Sequence, residues 1–228
     1  LAWEAPVARA ATSERNLLIV TGESRQRSRF TMYTLTRFSQ GDLLQLHLTD
    51  SVTSQGVCAA LCDHWLQLLK TDLGAPADRR LQRLQENFPS IIQHQRTYAL
   101  LRAQLGRERA REQVGEDIGL DYEGQTMVMK CSAGLQGMRS RMAADIGIPG
   151  RGATWTLRFA DGSGHVLAGL CNLIGQEPIL QMQLHVFDPN IGEYIGAMSD
   201  LDDILQNLMS WFPLYHTVIG VHRTFEGG

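Results

Sequence analysis

The chain has 228 residues, 43% hydrophobic and 20% charged, with a formal net charge of −3. That is ample for one sizeable core, and the near balance of charge argues against a nucleic-acid partner. No run approaches the roughly 18 apolar residues of a membrane helix and the start lacks a secretory signal, so no membrane span is expected.

Four cysteines, Cys58, Cys62, Cys131 and Cys171, are too sparse for a disulfide scaffold and read as free thiols of a reducing compartment. The chain opens on Leu1, which predicts a trimmed or processed N-terminus. Residues 1–15 show little periodicity and are expected to be a flexible tail before a single domain over 16–228. Short strands are expected at 17–20 and 30–35, flanking a polar, basic loop.

The segment Ser54-Gln55-Gly56-Val57-Cys58-Ala59-Ala60-Leu61-Cys62-Asp63-His64-Trp65-Leu66 is the most informative part. A polar, glycine-bearing loop delivers Cys58 to the first turn of a helix predicted over 57–71. Ala60, Leu61, Trp65, Leu68 and Leu69 recur at helical spacing and give it an apolar face. The positive end of the helix dipole and unpaired N–H groups favour a thiolate there, so Cys58 is the candidate nucleophile; the alternative is a buried small hydrophobe.

Pro76 opens a polar, Gln- and Arg-rich helical insertion to about residue 114, interrupted near Asn87-Phe88-Pro89-Ser90. Its arginines, among them Arg79, Arg80, Arg83, Arg102, Arg107 and Arg111, alternate with Glu86, Glu108 and Glu112, which predicts a solvated face. A further element spans about 126–144, with Met127, Met129, Met138 and Met142 as core. His47 and His94 are assigned to surface or helix faces.

A sheet is expected to begin at 154–159. Asp161-Gly162-Ser163-Gly164 reads as a turn, His165 opens an apolar run, and Ile174–Pro178 is a second turn before the extended run 179–187. A hairpin centred between Gln176 and Glu177 sets His165 directly opposite Asp188, with Cβ atoms roughly 5 Å apart. The same register puts Leu167, Gly169, Cys171, Met182, Leu184 and Val186 on that face, and sends Gln183 and His185 to the other. A slip of one residue would scramble this agreement. His165 is therefore the candidate base and Asp188 its orienting carboxylate, with Asn190 as the rival orienter. Ser199 reads as the N-cap of a helix over 200–211, His216 as a structural histidine, and 217–225 as the closing strand.

A thiol, an imidazole and a carboxylate make a coherent set: the ring takes the thiol proton, and the carboxylate holds the ring in the useful tautomer. The oxyanion of an attacked amide would be held by the Cys58 N–H and an upstream side chain, with Gln55 the best amide candidate. Cys58, Cys62 and His64 do not form a metal set, since no second ligand pair follows, and no glycine-rich phosphate loop precedes a helix. Neither metal nor cofactor is expected. The element order, a helical first half with the nucleophile and then an antiparallel sheet with base and acid, predicts an α+β fold with the cleft between lobes.

Gly56-Val57-Cys58-x-x-Leu61-x-x-x-Trp65-Leu66, Gly164-His165 and Phe187-Asp188-Pro189-Asn190-x-Gly192-Glu193-Tyr194 together resemble the YopT/AvrPphB-type cysteine peptidases over about residues 50–220. The resemblance implies a papain-like fold and a thiol endopeptidase with Cys58, His165 and Asp188 as its triad. It also implies a bacterial virulence effector, secreted into the host-cell cytosol, that cuts a host protein or its own precursor. Two features depart from the family: the offset of 23 positions between His165 and Asp188, and Cys62 one turn after Cys58. The triad alone leaves two other readings open, a deamidase or transglutaminase acting on glutamine side chains, and a non-enzymatic binding module.

Overall fold

Period-two alternation of apolar residues builds the centre of the molecule. The computed structural model describes residues 33–45, 56–123, 128–130, 134–176 and 179–226, all within the unit Thr31–Gly228. The expected tail, the strand at 17–20, His47, Gln55, Met127 and Cys131 lie outside the described residues.

Eight strands form one sheet: β1 (Thr34–Arg37), β2 (Tyr122–Glu123), β3 (Val128–Lys130), β4 (Gly152–Phe159), β5 (Gly164–Gln176), β6 (Ile179–Asp188), β7 (Gly192–Ala197) and β8 (Val218–Glu226). The order is β1-β7-β6-β5-β4-β8-β2, β3 also pairs with β8, and every pairing is antiparallel. The helices are α1 (Gln40–Gln45), α2 (Cys58–Thr71), α3 (Ala77–Glu86), α4 (Phe88–Leu105), α5 (Arg107–Glu116), α6 (Arg139–Asp145) and α7 (Leu201–Trp211).

Alternation along β5 divides the core in two. Val166, Ala168 and Leu170 join Phe187 beneath α2, α3 and α4, around Leu61, Trp65, Leu69 and Leu84. Leu167 and Cys171 face the other way, with Leu184, Val186 and Trp155, against α6 and α7. The architecture is α+β, as expected, but helices cover both faces of the sheet, because strands buried on both sides need two covers.

The β5–β6 hairpin corrects the expected register. Gln176 pairs with Ile179 and Ala168 with Phe187, so each β5 residue meets a partner two positions further along β6 than expected. The centre predicted from sequence would have placed Pro178, which has no N–H, inside the ladder; the observed register leaves it out. An even slip keeps every side chain on its face, so the predicted apolar stripe survives while the rungs move. His165 and Asp188 become diagonal neighbours rather than direct partners.

Other boundaries shift for local reasons. The helical insertion is three helices, because Pro89 starts α4 and Gly106, at φ 82°, ends it. The strand expected at 30–35 is β1, displaced toward Arg37. Strand β7 follows a tight turn and was anticipated only as a motif. Helix α7 begins after Asp200, whose carboxylate accepts the Ala197 N–H at 2.8 Å, so Asp200 and not Ser199 shapes that corner. Among the described residues no helix is long and apolar enough to cross a membrane.

Candidate active site

Gly56, at φ 86°, turns the chain into α2, and Cys58 is the first helical residue. Its N–H, like others of the first turn, has no acceptor within the helix. Gln40 holds the approach to this turn: its Oε1 accepts the Val57 N–H at 3.3 Å, and its Nε2 donates to Asn190 Oδ1 at 2.6 Å. One buried amide thus ties the loop before Cys58 to the loop after β6. Its position, well upstream of the cysteine and outside any motif, hid it from sequence reasoning.

The first rungs of β5 carry His165 to the same place. Its Nε2–H donates to Asp188 Oδ1 at 2.9 Å. Asp188 is fully buried, its Oδ1 also accepts the Asn190 N–H at 2.8 Å, and its Oδ2 accepts the Tyr215 hydroxyl. Asn190 does not orient the ring with its amide, which is engaged by Gln40. Tyr215 is a further residue that sequence reasoning missed. It arrives from a 3₁₀ turn, Pro213–Thr217, far from either motif.

With Nε2 committed to Asp188, the other ring nitrogen is left for the Cys58 thiol, which is hydrogen-bonded to His165. Burial works against a charge on Cys58. The hydrogen bond and charge of His165, with backbone hydrogen bonds from Val166 and Ala59, outweigh it and hold the thiol below its ordinary value. Burial likewise favours a neutral His165, yet the charge and hydrogen bond of Asp188, then Cys58, push the ring up to about 10. The pair is therefore poised as thiolate and imidazolium. Cys62 behaves oppositely. Burial, then the charges of Cys58 and Asp63, push its thiol well up, and its Sγ–H donates to Val166 O at 3.4 Å. Cys171 is pushed up to about 11 by burial.

The block after β6 also anchors α2. Glu193 is buried and accepts from Trp65 Nε1 at 3.0 Å, from Arg80 Nε at 3.2 Å and from His185 Nδ1 at 3.0 Å. His185 is indeed on the face away from His165, but it is sealed in this network and not solvated. Trp65 stacks on Phe187, with ring centroids 5.3 Å apart and planes 15° apart. Gly192, at φ 135°, permits β1 to dock on β7; a Cβ there would lie 2.0 Å from Thr36 O.

Several charges expected on a solvated face are buried. Arg80 pairs with Glu193, and Arg111 pairs with Asp63, which also accepts from Tyr122 and contacts His94 at 3.2 Å. His94 is accordingly core, not surface, whereas His216 is exposed. His64 packs edge-on against His94 with centroids 5.1 Å apart, so Cys58, Cys62 and His64 point to different partners and do not converge as ligands. The thiol and imidazole open onto a cleft of about 400 Å³ between the α2–α4–α5 side and the β4–β5 turn. Gln55, the expected oxyanion donor, lies outside the described residues.

No curated protein matches this chain significantly. Among solved structures, the crystal structure of the Pseudomonas avirulence protein AvrPphB matches at a TM-score of 0.62 and 25% identity, over 78% of this chain and 95% of that one. That likeness establishes the papain-like fold. The model of the Peptidase_C58 family, described as Yersinia/Haemophilus virulence surface antigen, matches residues 24–214, and the chain belongs to this family of cysteine peptidases.

Proposed function

We propose that this protein is a bacterial effector endopeptidase that, once inside a host cell, cleaves a host protein or its own precursor through Cys58, His165 and Asp188. The observation that carries the reading is the continuous line from Cys58 through His165 to the buried Asp188, with the thiol held down and the ring held up. Family membership and the likeness to AvrPphB point the same way.

The Cys58 thiolate attacks the scissile carbonyl carbon. The Cys58 N–H, first in α2 and helped by the helix dipole, receives the developing oxyanion, with Gln55 as a second donor. His165 passes its proton to the departing amine, leaving a thioester on Cys58. A water molecule, deprotonated by the now neutral ring, releases the acid and restores the ion pair. Asp188 steadies the imidazolium throughout, and Tyr215 and the Asn190 N–H keep that carboxylate aimed.

Incubating candidate host proteins and the chain's own longer precursor with wild type and Cys58→Ala, followed by mass spectrometry, tests the reading. New backbone termini that require Cys58 support it. A deamidation shift or a glutamine cross-link without backbone cleavage overturns it in favour of acyl transfer at side chains, and unchanged substrates with unreactive Cys58 leave only a binding role.

A further inference from the structure

The cleft beside Cys58 and His165 is walled by arginines. Arg102 and Arg107 reach it from the α4–α5 corner and Arg158 from the end of β4. Arg111 is there too, but its charge is committed to Asp63. The other three form no ion pair among the described residues, and Arg107 Nη1 is buried without a hydrogen-bond partner. Burial, then the like charges of Arg102 and Arg158, make the Arg107 guanidinium less basic than usual, and the same two arginines of the cleft disfavour a charge on the neighbouring His222. No Asp or Glu lines the cleft. Asp161, in the adjacent turn, spends its carboxylate on Ser163.

Buried donors are almost always paired, and three uncompensated arginines repel one another in a protein whose net charge is −3. Such an arrangement is stable only as a site for an incoming anion. A guanidinium fork binds a carboxylate through two parallel hydrogen bonds, and a water-poor cleft strengthens them. Because the arginines share this cleft with the thiol and the ring, the anion is a part of the chain being cut.

We infer that Arg107, with Arg102 and Arg158, forms a specificity subsite for an acidic side chain, aspartate or glutamate, lying within a few residues of the scissile bond. The inference rests on the peptidase reading. It makes this protein selective for acidic segments although its own surface is net acidic. Repulsion elsewhere and attraction at the cleft then act together to orient the substrate.

Two measurements test it. In the first, a proteome-derived peptide library is digested by wild type, Arg107→Gln, Arg107→Lys and the Arg107→Gln/Arg158→Gln pair, and the cut sites are read by mass spectrometry. Wild type should show Asp or Glu enriched at one fixed position. The double variant should lose that enrichment, with kcat/KM on an acidic peptide down about tenfold to a hundredfold, and Arg107→Lys should recover part of it. Cleavage without acidic preference, a preference for phosphoserine over aspartate, or a preference that survives the double variant overturns the inference and leaves the peptidase reading standing.

The second measurement needs no substrate. It compares alkylation of Cys58 by anionic iodoacetate with alkylation by neutral iodoacetamide. The iodoacetate-to-iodoacetamide rate ratio should fall about tenfold in the double variant, given the worth of a charged hydrogen bond, with thermal melting as the check on folding. If the library is left uncut, a fallen ratio keeps the anion site while the peptidase reading fails. An unchanged ratio sinks the site itself.

Discussion

Asp188→Asn is the sharpest perturbation of the Cys58–His165 pair, because the surroundings of Asp188 dictate how an amide would sit. In a triad whose carboxylate faces only the ring, an amide can turn its NH₂ toward the imidazole and impose the wrong tautomer. Here Oδ1 accepts both His165 Nε2–H at 2.9 Å and the fixed backbone N–H of Asn190 at 2.8 Å. Position Oδ2 faces the Tyr215 hydroxyl, which can rotate to accept. The amide oxygen is therefore pinned toward the ring and its NH₂ toward Tyr215. Tautomer and orientation survive, and the charge alone is lost.

The size of the effect follows. Opposite charges about 4 Å apart interact by about 4 kcal/mol at an effective dielectric of about 20. At 1.36 kcal/mol per pH unit this lowers His165 by about 3 units at most, and retaining a neutral hydrogen bond of about 1 kcal/mol brings the drop to about 2. With Asp188 intact, His165 stays protonated up to about 10, so the Cys58 thiolate persists from acidic pH to that limit. The variant should lose imidazolium earlier as pH rises, and Cys58 should need a higher pH to ionise. The two groups titrate as a pair, so the acid limb moves less, by about 1 unit.

The assay is the pH profile of iodoacetamide alkylation at Cys58, resolved by peptide mass spectrometry. Asp188→Ala, which removes the acceptor and leaves Tyr215 and Asn190 without a partner, should be markedly worse than Asp188→Asn. A profile unchanged by Asp188→Asn would show that the carboxylate does not hold the ring charged. Equal damage from the two variants would show that the amide is not pinned.

At mildly acidic pH, low-dose iodoacetamide should label Cys58 well before Cys62 and Cys171, whose thiols burial pushes up; labelling of Cys62 first would move the nucleophile one helical turn. His165→Ala should abolish that early labelling, whereas His185→Ala should keep it and lower the urea midpoint by disturbing the Glu193 network. Trp65→Phe keeps the stack on Phe187 but removes a donor to buried Glu193, and should cost about 1–3 kcal/mol in chemical denaturation. Gly192→Ala combines a left-handed φ with a clash against Thr36 O and should cost at least about 2 kcal/mol, read as a lower melting temperature.

What could be read from the sequence is what local pattern encodes. The 3.6-residue spacing after Cys58 predicted α2 to within one residue, and alternation around His165 predicted its face correctly even though the rungs were two positions off. The error was harmless because period two cannot distinguish registers that differ by an even number; only the place of Pro178 could have decided between them. Pairings across long separations were illegible. Arg80 finds Glu193 at a separation of 113 residues, and Arg111 finds Asp63 at 48, so a helix that looked uniformly polar buries two of its cations. Gln40 and Tyr215 carry no motif, and nothing local marks them as supports of Val57 and Asp188.

The Asp-Pro-Asn-x-Gly-Glu block shows why a six-residue motif outweighed the isolated cysteine. Asp188 aims the ring, and the Asn190 N–H aims Asp188. The Pro189 carbonyl accepts the Gln40 N–H at 2.7 Å, which begins α1 beside the nucleophile loop. Gly192 lets β1 close over the turn, and Glu193 fastens Trp65, seven positions into α2 from Cys58. Each residue of the block thus holds one end of the path between the thiol and the carboxylate, and a change at any one displaces both. Such a block cannot drift by independent substitutions without loosening the site, and a solitary thiol at a helix start carries no such constraint. The coupling can be measured. In a double-mutant cycle, Gln40→Ala and Trp65→Phe should each slow Cys58 alkylation, and the pair should fall short of the product of the single effects, because both variants release the same helix start. Strictly multiplicative effects would mean that the two anchors act on separate parts of the site.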